Sequence, residues 1–263
     1  MKNVWITGAS SGIGRATAET FARAGGYRLI LSARRLIRLE VLKSELEKAA
    51  DCEVVVIPFD VQKSSACEQA MQELPDSCRP IDLLINNAGL AKGLAPIHQG
   101  DLNHWETMID TNIKGLLYMS RLVSAHMVEQ KHPGMIINTA STAGKEVYPK
   151  GNVYCATKHA VDALTRAMRL DLYQHGIRVG QVAPAHVEET EFARVRFDGD
   201  QKKARIYEDF NPLRSQDVAE AILFIATRPP HVNVQDIVLM GTQQANSTHI
   251  DHSGRKFDER NEE

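Results

Sequence analysis

Long uninterrupted apolar runs, clustered cysteines and a marked excess of one charge are all missing from this 263-residue sequence. Without a run of about 20 apolar residues no membrane-spanning helix is expected. The four cysteines, Cys52, Cys67, Cys78 and Cys155, form no C-x-x-C pair, so neither a disulfide framework nor a zinc site is indicated. His249 and His252 lie near one another, but two ligands without a third make no metal centre, and none is expected. With a formal net charge of -2 and no basic stripe, the chain lacks the electrostatic footprint of a nucleic-acid binder. Met1 to Ile6 runs straight into a strand-like segment, so no secretory leader is expected, and free thiols in a reducing cytoplasm are.

What is present is a balance of 43% apolar and 24% charged residues, ordinary for a globular protein. Short Val-, Ile- and Leu-rich runs recur at Val4–Ile6, Leu29–Leu31, Val54–Phe59, Leu83–Ile85, Met135–Ile137, Val179–Val182 and Ile237–Met240. Such runs fit strands buried on both faces, as in a parallel sheet. Between them lie helical patterns: Gly12–Ala24, Leu36–Ala50, Ser65–Leu74, Trp105–Gln130, Asn152–Gln174 and Gln216–Thr227. In the second of these, Leu39, Leu42, Leu46 and Ala49 form an apolar stripe opposite Glu40, Lys43 and Glu47. The alternation predicts a single α/β domain over residues 1–245: a doubly wound Rossmann-type sheet of about seven parallel strands flanked by helices. The stretch 184–212 is too long for an ordinary connection and is expected to be a lid insertion. Residues 246–263 read as a loose polar tail.

Directly after the first strand comes Gly8-Ala9-Ser10-Ser11-Gly12-Ile13-Gly14, followed by a helix. Glycines let a backbone turn tightly against a pyrophosphate, and the helix N-terminus attracts phosphate through its free N–H groups and dipole. That strand–turn–helix setting is what a dinucleotide site requires. About twenty residues on, the second strand ends at Ser32-Ala33-Arg34-Arg35, with no acid to hold a ribose 2′-hydroxyl. Arg34 and Arg35 instead present guanidinium forks suited to a 2′-phosphate, which favours NADP over NAD.

Taken with Asn86-Asn87-Ala88-Gly89 after the fourth strand and Tyr154-Cys155-Ala156-Thr157-Lys158 after the fifth, the chain resembles the short-chain dehydrogenase/reductase family from Val4 to about Ala245. The resemblance implies a catalytic set of Asn112, Ser141, Tyr154 and Lys158. It also implies cofactor contacts from Asp60 and Val61 at the adenine, Asn87, Ala88 and Gly89 at the adenosine ribose, and Pro184, Ala185, Val187 and Thr190 at the nicotinamide. The chemistry agrees: hydride transfer to a carbonyl leaves an alkoxide needing a proton, which a tyrosine can supply. Bringing a phenol from its ordinary pKa of about 10 to near neutrality takes roughly 4 kcal/mol of phenolate stabilisation. Lys158, one helical turn past Tyr154, puts a cation where it can contribute this. Ser141 is implied to hold the substrate oxygen, and Asn112 a water that feeds protons to Lys158.

Asn86–Leu94, Trp105–Tyr118, Thr190-Glu191-Phe192, Val195-Arg196-Phe197 and Pro230–Val234 are similar to the NADP-dependent 3-hydroxy acid, or serine, dehydrogenases within that family. The implied reaction interconverts a small 3-hydroxy acid with its 3-oxo or semialdehyde form. A 3-oxoacyl carrier-protein reductase and a sulfoaldehyde reductase use the same four residues, and an NADP-sensing binding protein is the non-enzymatic alternative. Ala185 stands where the family has glycine, His186 where an apolar residue is common, Gly241 where the subgroup has proline, and Glu188-Glu189 where glycines are common. An anionic substrate is expected, with Ser141, Lys145, Lys150, His186 and Arg194 as candidate contacts. The resemblance further implies a homotetramer that uses the helices around Trp105 and Tyr154.

Overall fold

The computed structural model describes residues 1–197, 199 and 210–254. Tyr207, most of the second half of the 184–212 insertion and residues 255–263 of the tail lie outside the described residues.

Seven strands form one parallel sheet: β1 (Lys2–Thr7), β2 (Tyr27–Ser32), β3 (Glu53–Val56), β4 (Leu83–Asn86), β5 (Met135–Thr139), β6 (Arg178–Pro184) and β7 (Asp236–Leu239). Their spatial order is β3-β2-β1-β4-β5-β6-β7. The chain reverses its direction of travel across the sheet between β1 and β4, which opens a crevice at the carboxyl ends of those strands. Helices α1 (Gly12–Ala24), α2 (Leu36–Ala49), α3 (Ser64–Gln72), α4 (Leu102–Ile109), α5 (Leu116–Glu129), α6 (Asn152–Leu172), α7 (Phe192–Arg196) and α8 (Ser215–Ala226) accompany the sheet.

Both faces of the sheet are covered, and the strand period of two decides which residue goes where. Val4, Ile6, Leu29 and Leu31 meet Phe21 of α1, Leu39, Leu42 and Leu46 of α2, and Val218, Ile222 and Ile225 of α8. Trp5, Ile30, Leu84 and Ile136 point the other way, onto Cys67 and Ala70 of α3 and Met119, Val123 and Met127 of α5. Each of these Val, Leu, Ile, Phe and Met side chains contributes about 1.5–3 kcal/mol by leaving water. The one polar atom of Trp5 is satisfied too, since Nε1 donates to Ser32 Oγ at 2.8 Å. All four cysteines are free and buried.

Two elements differ from the sequence expectation. The stretch read as one helix from Trp105 is interrupted by a π-type turn over Asp110–Gly115, with Asn112 inside it. Its wide turn is invisible to a period-3.6 pattern. Part of the expected loose tail is also built into the fold. Ser247 donates through its backbone N and its Oγ to Glu146 Oε1, and Asp251 N donates to the carbonyl of Gln243, a buried residue of the domain. Hydrogen bonds rather than apolar area hold this stretch, so its polar composition concealed it.

Candidate active site

A cavity of about 520 Å³ opens along the carboxyl ends of the strands, from Arg34 and Arg35 at one end to Tyr154 and Arg196 at the other. Its dinucleotide end is shaped by backbone. Gly8 and Gly12 have φ of +66° and +53°, the left-handed region that glycine enters without strain. Thr7 Oγ1 accepts from Asn87 N and Ala88 N, and Asn87 Nδ2 donates to Thr7 O and Gly8 O, at 3.1–3.2 Å. The two loops are therefore fixed as one cradle beside the N-terminus of α1, which fits a pyrophosphate.

Among the residues singled out in the sequence, Gly8, Ser10, Ser11, Gly12, Ile13, Arg34, Arg35, Asp60, Val61, Asn87, Ala88 and Gly89 line this end. Pro184, Ala185, His186, Val187 and Thr190 line the cavity farther along. Gly14 is buried beneath the turn, against Asn87 and Gly8, and supports it from below. Ala185 has no positive φ, so alanine sits there unstrained, whereas Glu189, one of the pair expected at positions where glycines are common, adopts φ +59°. Gly241 is needed for space, because a Cβ there would lie 2.9 Å from Asn211 O.

Three of the four residues implied to be catalytic, Ser141, Tyr154 and Lys158, line the cavity. Ser141 follows β5, and its Oγ accepts from Ala143 N at 3.1 Å and donates to Pro184 O at 3.4 Å. Gly144 lets this loop lie on α6, since a Cβ there would come 2.5 Å from Lys158 O. Tyr154 and Lys158, four residues apart on α6, both line the cavity. Lys158 Nζ donates to Thr139 O at 2.8 Å, and burial pulls its ammonium down to about 8. Asn112 stands just behind. Its Oδ1 accepts from Leu90 N at 2.9 Å, and its Nδ2 donates to Leu90 O and Thr157 Oγ1. The Asn112 amide thus ties the Asn87–Leu90 loop to α6.

At the Tyr154 end of the cavity the cations differ from those expected. Lys145 does not line the cavity: its ammonium is paired with Asp162 and Asp236. Lys150 belongs to a separate, smaller hollow beside Trp105. Arg194 is exposed, on the outer side of α7. Two residues on, Arg196 is buried and faces in. Its guanidinium carbon lies 5.5, 5.8 and 6.0 Å from the ring centroids of Tyr148, Tyr154 and Phe192. Arg196 Nη2 donates to the Tyr148 hydroxyl at 3.1 Å, while its buried Nε has no partner. Among the described residues no carboxylate neutralises it. Burial raises the Tyr148 phenol above its ordinary value, against the pull of the Arg196 charge. His186 keeps its place in the wall, with Nδ1 paired to the Gln244 amide and burial lowering its pKa. Ser247 and Ile250, from the supposed tail, also line the cavity.

Comparison with known proteins agrees with this architecture. Residues 2–201 match the model of the family described as short chain dehydrogenase. The chain is 44% identical to the NADP-dependent 3-hydroxy acid dehydrogenase of Salmonella typhimurium, over 92% of this chain and 96% of that relative. It is equally 44% identical to sulfoacetaldehyde reductase 2 of Chromohalobacter salexigens, over 92% and 95%. A solved structure, the closed form of serine dehydrogenase complexed with NADP+, superposes with a TM-score of 0.88 at 41% identity, covering 93% of this chain and 96% of that one.

Proposed function

Because the chain belongs to the short-chain dehydrogenase family, we propose that it is an NADP-dependent oxidoreductase that interconverts a small, anionic 3-hydroxy acid with its 3-oxo or semialdehyde form. The observation that carries the substrate class is Arg196, a buried guanidinium beside Tyr154 with no carboxylate partner among the described residues. A buried charge is costly unless paired, and a carboxylate on the substrate supplies the missing partner through a charge-assisted fork. Phe192 and Leu94 leave the surrounding wall apolar, which suits a short chain.

When bound, the cofactor supplies or accepts the hydride. Gly8, Ser10, Ser11, Gly12 and Ile13 hold its pyrophosphate at the N-terminus of α1, with Gly14 beneath the turn. Arg34 and Arg35 take the 2′-phosphate, Asp60 and Val61 the adenine side, and Asn87, Ala88 and Gly89 the adenosine ribose. Pro184, Ala185, Val187 and Thr190 border the nicotinamide. In reduction, Ser141 Oγ donates to the carbonyl oxygen and Tyr154 passes its phenolic proton to that same oxygen as the alcohol forms. In oxidation the Tyr154 phenolate takes the proton back. Lys158 stabilises the phenolate and contacts the nicotinamide ribose. Asn112, with its side chain already committed to Leu90 and Thr157, acts by keeping Gly89 and Lys158 in register.

A second reading has its own support: a guanidinium accepts a sulfonate as readily as a carboxylate, and one relative is named sulfoacetaldehyde reductase. The test is NADPH oxidation across small semialdehydes, sulfoacetaldehyde and acetoacetyl thioesters, each acid paired with its methyl ester. Turnover of the acids with at least tenfold preference over the esters supports the proposal. Preference for sulfoacetaldehyde selects the second reading, and preference for thioesters or esters overturns both.

The same proposal includes a homotetramer built on the helices around Trp105 and Tyr154, where Leu102 is 68% exposed. Sedimentation velocity at micromolar concentration tests it, and a monomer overturns it. Among the described residues no helix is long and apolar enough to cross a membrane.

A further inference from the structure

Glu191 joins two parts of the cavity that the reaction uses for different ends. Its carboxylate accepts from Arg35 Nη2 at 2.7 Å and from Arg38 Nη1 at 2.9 Å. Arg35 Nη2 also donates to Ser10 Oγ and Ser11 Oγ, at 3.1 and 3.2 Å. These contacts lie at the adenosine end, on the first turn of α2 and on the glycine turn. The residue after Glu191 is Phe192, whose ring meets the Tyr154 ring edge-on at 5.6 Å between centroids. Five residues after Glu191 comes Arg196, 5.8 Å from that same ring. One carboxylate therefore fastens the start of the helix that carries both substrate-end residues to the arginines that select the cofactor.

Helix α7 has only five residues, too few to be stable by itself, so its position depends on what anchors it. Phe192 and Arg196 occupy one face of it, at i and i+4. An anchor at Glu191 sets the rotation and depth of that face. The preceding residues come over the glycine turn as well, since a Cβ on Gly12 would lie 3.1 Å from Thr190 Cγ2. A chain crossing above the turn and tied down on the far side of it covers whatever the turn holds.

We propose that Glu191 is a positioning residue: a two-armed clasp that fastens α7 across the cavity, slowing the release of NADP(H) and keeping Phe192 and Arg196 at Tyr154. The clasp rests on the cofactor assignment above. Glu191 does not need to leave for a 2′-phosphate to bind. A guanidinium has five donor hydrogens, and Arg35 uses only Nη2 toward protein among the described residues. Its remaining edge and Arg34 stay available. The carboxylate stays ionised, because hydrogen bonds from Arg35, then from Arg38, together with both charges, outweigh burial and hold it at about 2.

Arg38 allows a clean test because it does not line the cavity. The release rate of NADPH from the loaded protein, with no substrate present, is read by stopped-flow fluorescence after mixing with excess NADP+ as a trap. Arg38→Ala, which removes one arm, is expected to speed release about threefold, and Glu191→Gln, which weakens both, about tenfold or more. Arg38→Lys keeps the charge and should stay within about twofold of the natural protein. In steady state, Glu191→Gln should raise KM for the carbonyl substrate more than it lowers kcat. Release from Glu191→Gln at the natural rate overturns the clasp and leaves the cofactor assignment standing. Slower release overturns it as well, by making Glu191 a competitor of the 2′-phosphate. A natural protein that binds no NADPH overturns the cofactor assignment and the clasp together.

Discussion

The guanidinium carbon of Arg196 lies 5.8 Å from the centroid of the Tyr154 ring, so a fixed positive charge stands within one small molecule's length of the proposed proton donor. A substrate anion held by Arg196 therefore brings a carbonyl a few bonds away toward Tyr154 and Ser141. A charge-assisted hydrogen bond contributes about 1.5–3 kcal/mol, so Arg196→Met should raise KM for the acid about ten- to a hundredfold. The methyl ester should lose almost nothing. Initial-rate measurements on both compounds check this, and an equal loss on both would reassign Arg196 to packing.

Removing the phenolic hydroxyl of Tyr154 takes away the proposed acid and very little volume. Tyr154→Phe is expected to lower kcat by several orders of magnitude while NADPH affinity, read by fluorescence titration, stays within about threefold. Retained turnover would point to another proton donor.

Lys158 carries a pH signature. Burial lowers its pKa to about 8, so the folded protein gives up this proton before the unfolded chain does. If the ammonium contributes to cofactor binding, NADPH affinity is full below about pH 8 and falls as the pH rises past it, by at most tenfold per unit. The same sign means that this lysine costs stability at low pH, a cost relieved as the pH climbs from about 8 toward the ordinary lysine value. Fluorescence titrations from about pH 6.5 to 9.5 should show the decline in the natural protein and a flat profile in Lys158→Met.

The strand and helix order was legible because seven short runs of apolar residues are separated by period-3.6 patterns, a signal local to each element. The dinucleotide end was legible for a related reason: it is built from contiguous backbone, and Gly8 through Gly14 form one continuous piece of chain. The Tyr154 end of the cavity is assembled from side chains far apart in sequence, and there a sequence does not tell which of two neighbouring arginines faces in. Arg194 and Arg196 look alike in a sequence, and only the rotation of a five-residue helix decides that the second turns inward. Lys145 looked available because its partners, Asp162 and Asp236, come from α6 and β7. Ser247 and Ile250 were hidden in a polar stretch whose hold on the fold comes from Glu146 and Gln243. The π-type turn at Asn112 had no periodic signal, although the asparagine itself was found through the family pattern.

Cofactor preference should follow from the end of β2. With Arg34 and Arg35 at the mouth of the cavity and Ala33 where an acid would stand, NADP should bind at least about tenfold more tightly than NAD, or roughly 1.4 kcal/mol. Ala33→Asp combined with Arg34→Ala should reverse the preference, because the new carboxylate accepts from a 2′-hydroxyl and repels a 2′-phosphate. Isothermal titration with both cofactors checks it, and equal affinities in the natural protein would refute the role of Arg34.

Lys145 provides the complementary case, a cation that the structure assigns to the scaffold. Its ammonium bridges Asp162 of α6 and Asp236 of β7, and Asp162 is further held by Gln181 and Arg166. Burial would raise the Asp162 carboxyl, but hydrogen bonds from Lys145 and Gln181 and the charges of Lys145 and Arg166 prevail and lower it. A lowered carboxyl contributes stability that is present above the ordinary carboxylate range and lost as the pH falls through its folded value. Breaking a largely buried pair on one side leaves a charge poorly compensated, at a cost of up to about 3–5 kcal/mol, reduced here because Arg166 and Gln181 remain. Lys145→Met should therefore lower Tm by several degrees near neutral pH, and the deficit should shrink as the solution is acidified and Asp162 is neutralised. KM for the acid substrate should stay within about twofold of the natural value, in contrast with the loss expected of Arg196→Met. Thermal melts from about pH 3 to 7 and one substrate titration decide the matter: a tenfold rise in KM with an unchanged Tm would return Lys145 to the substrate site.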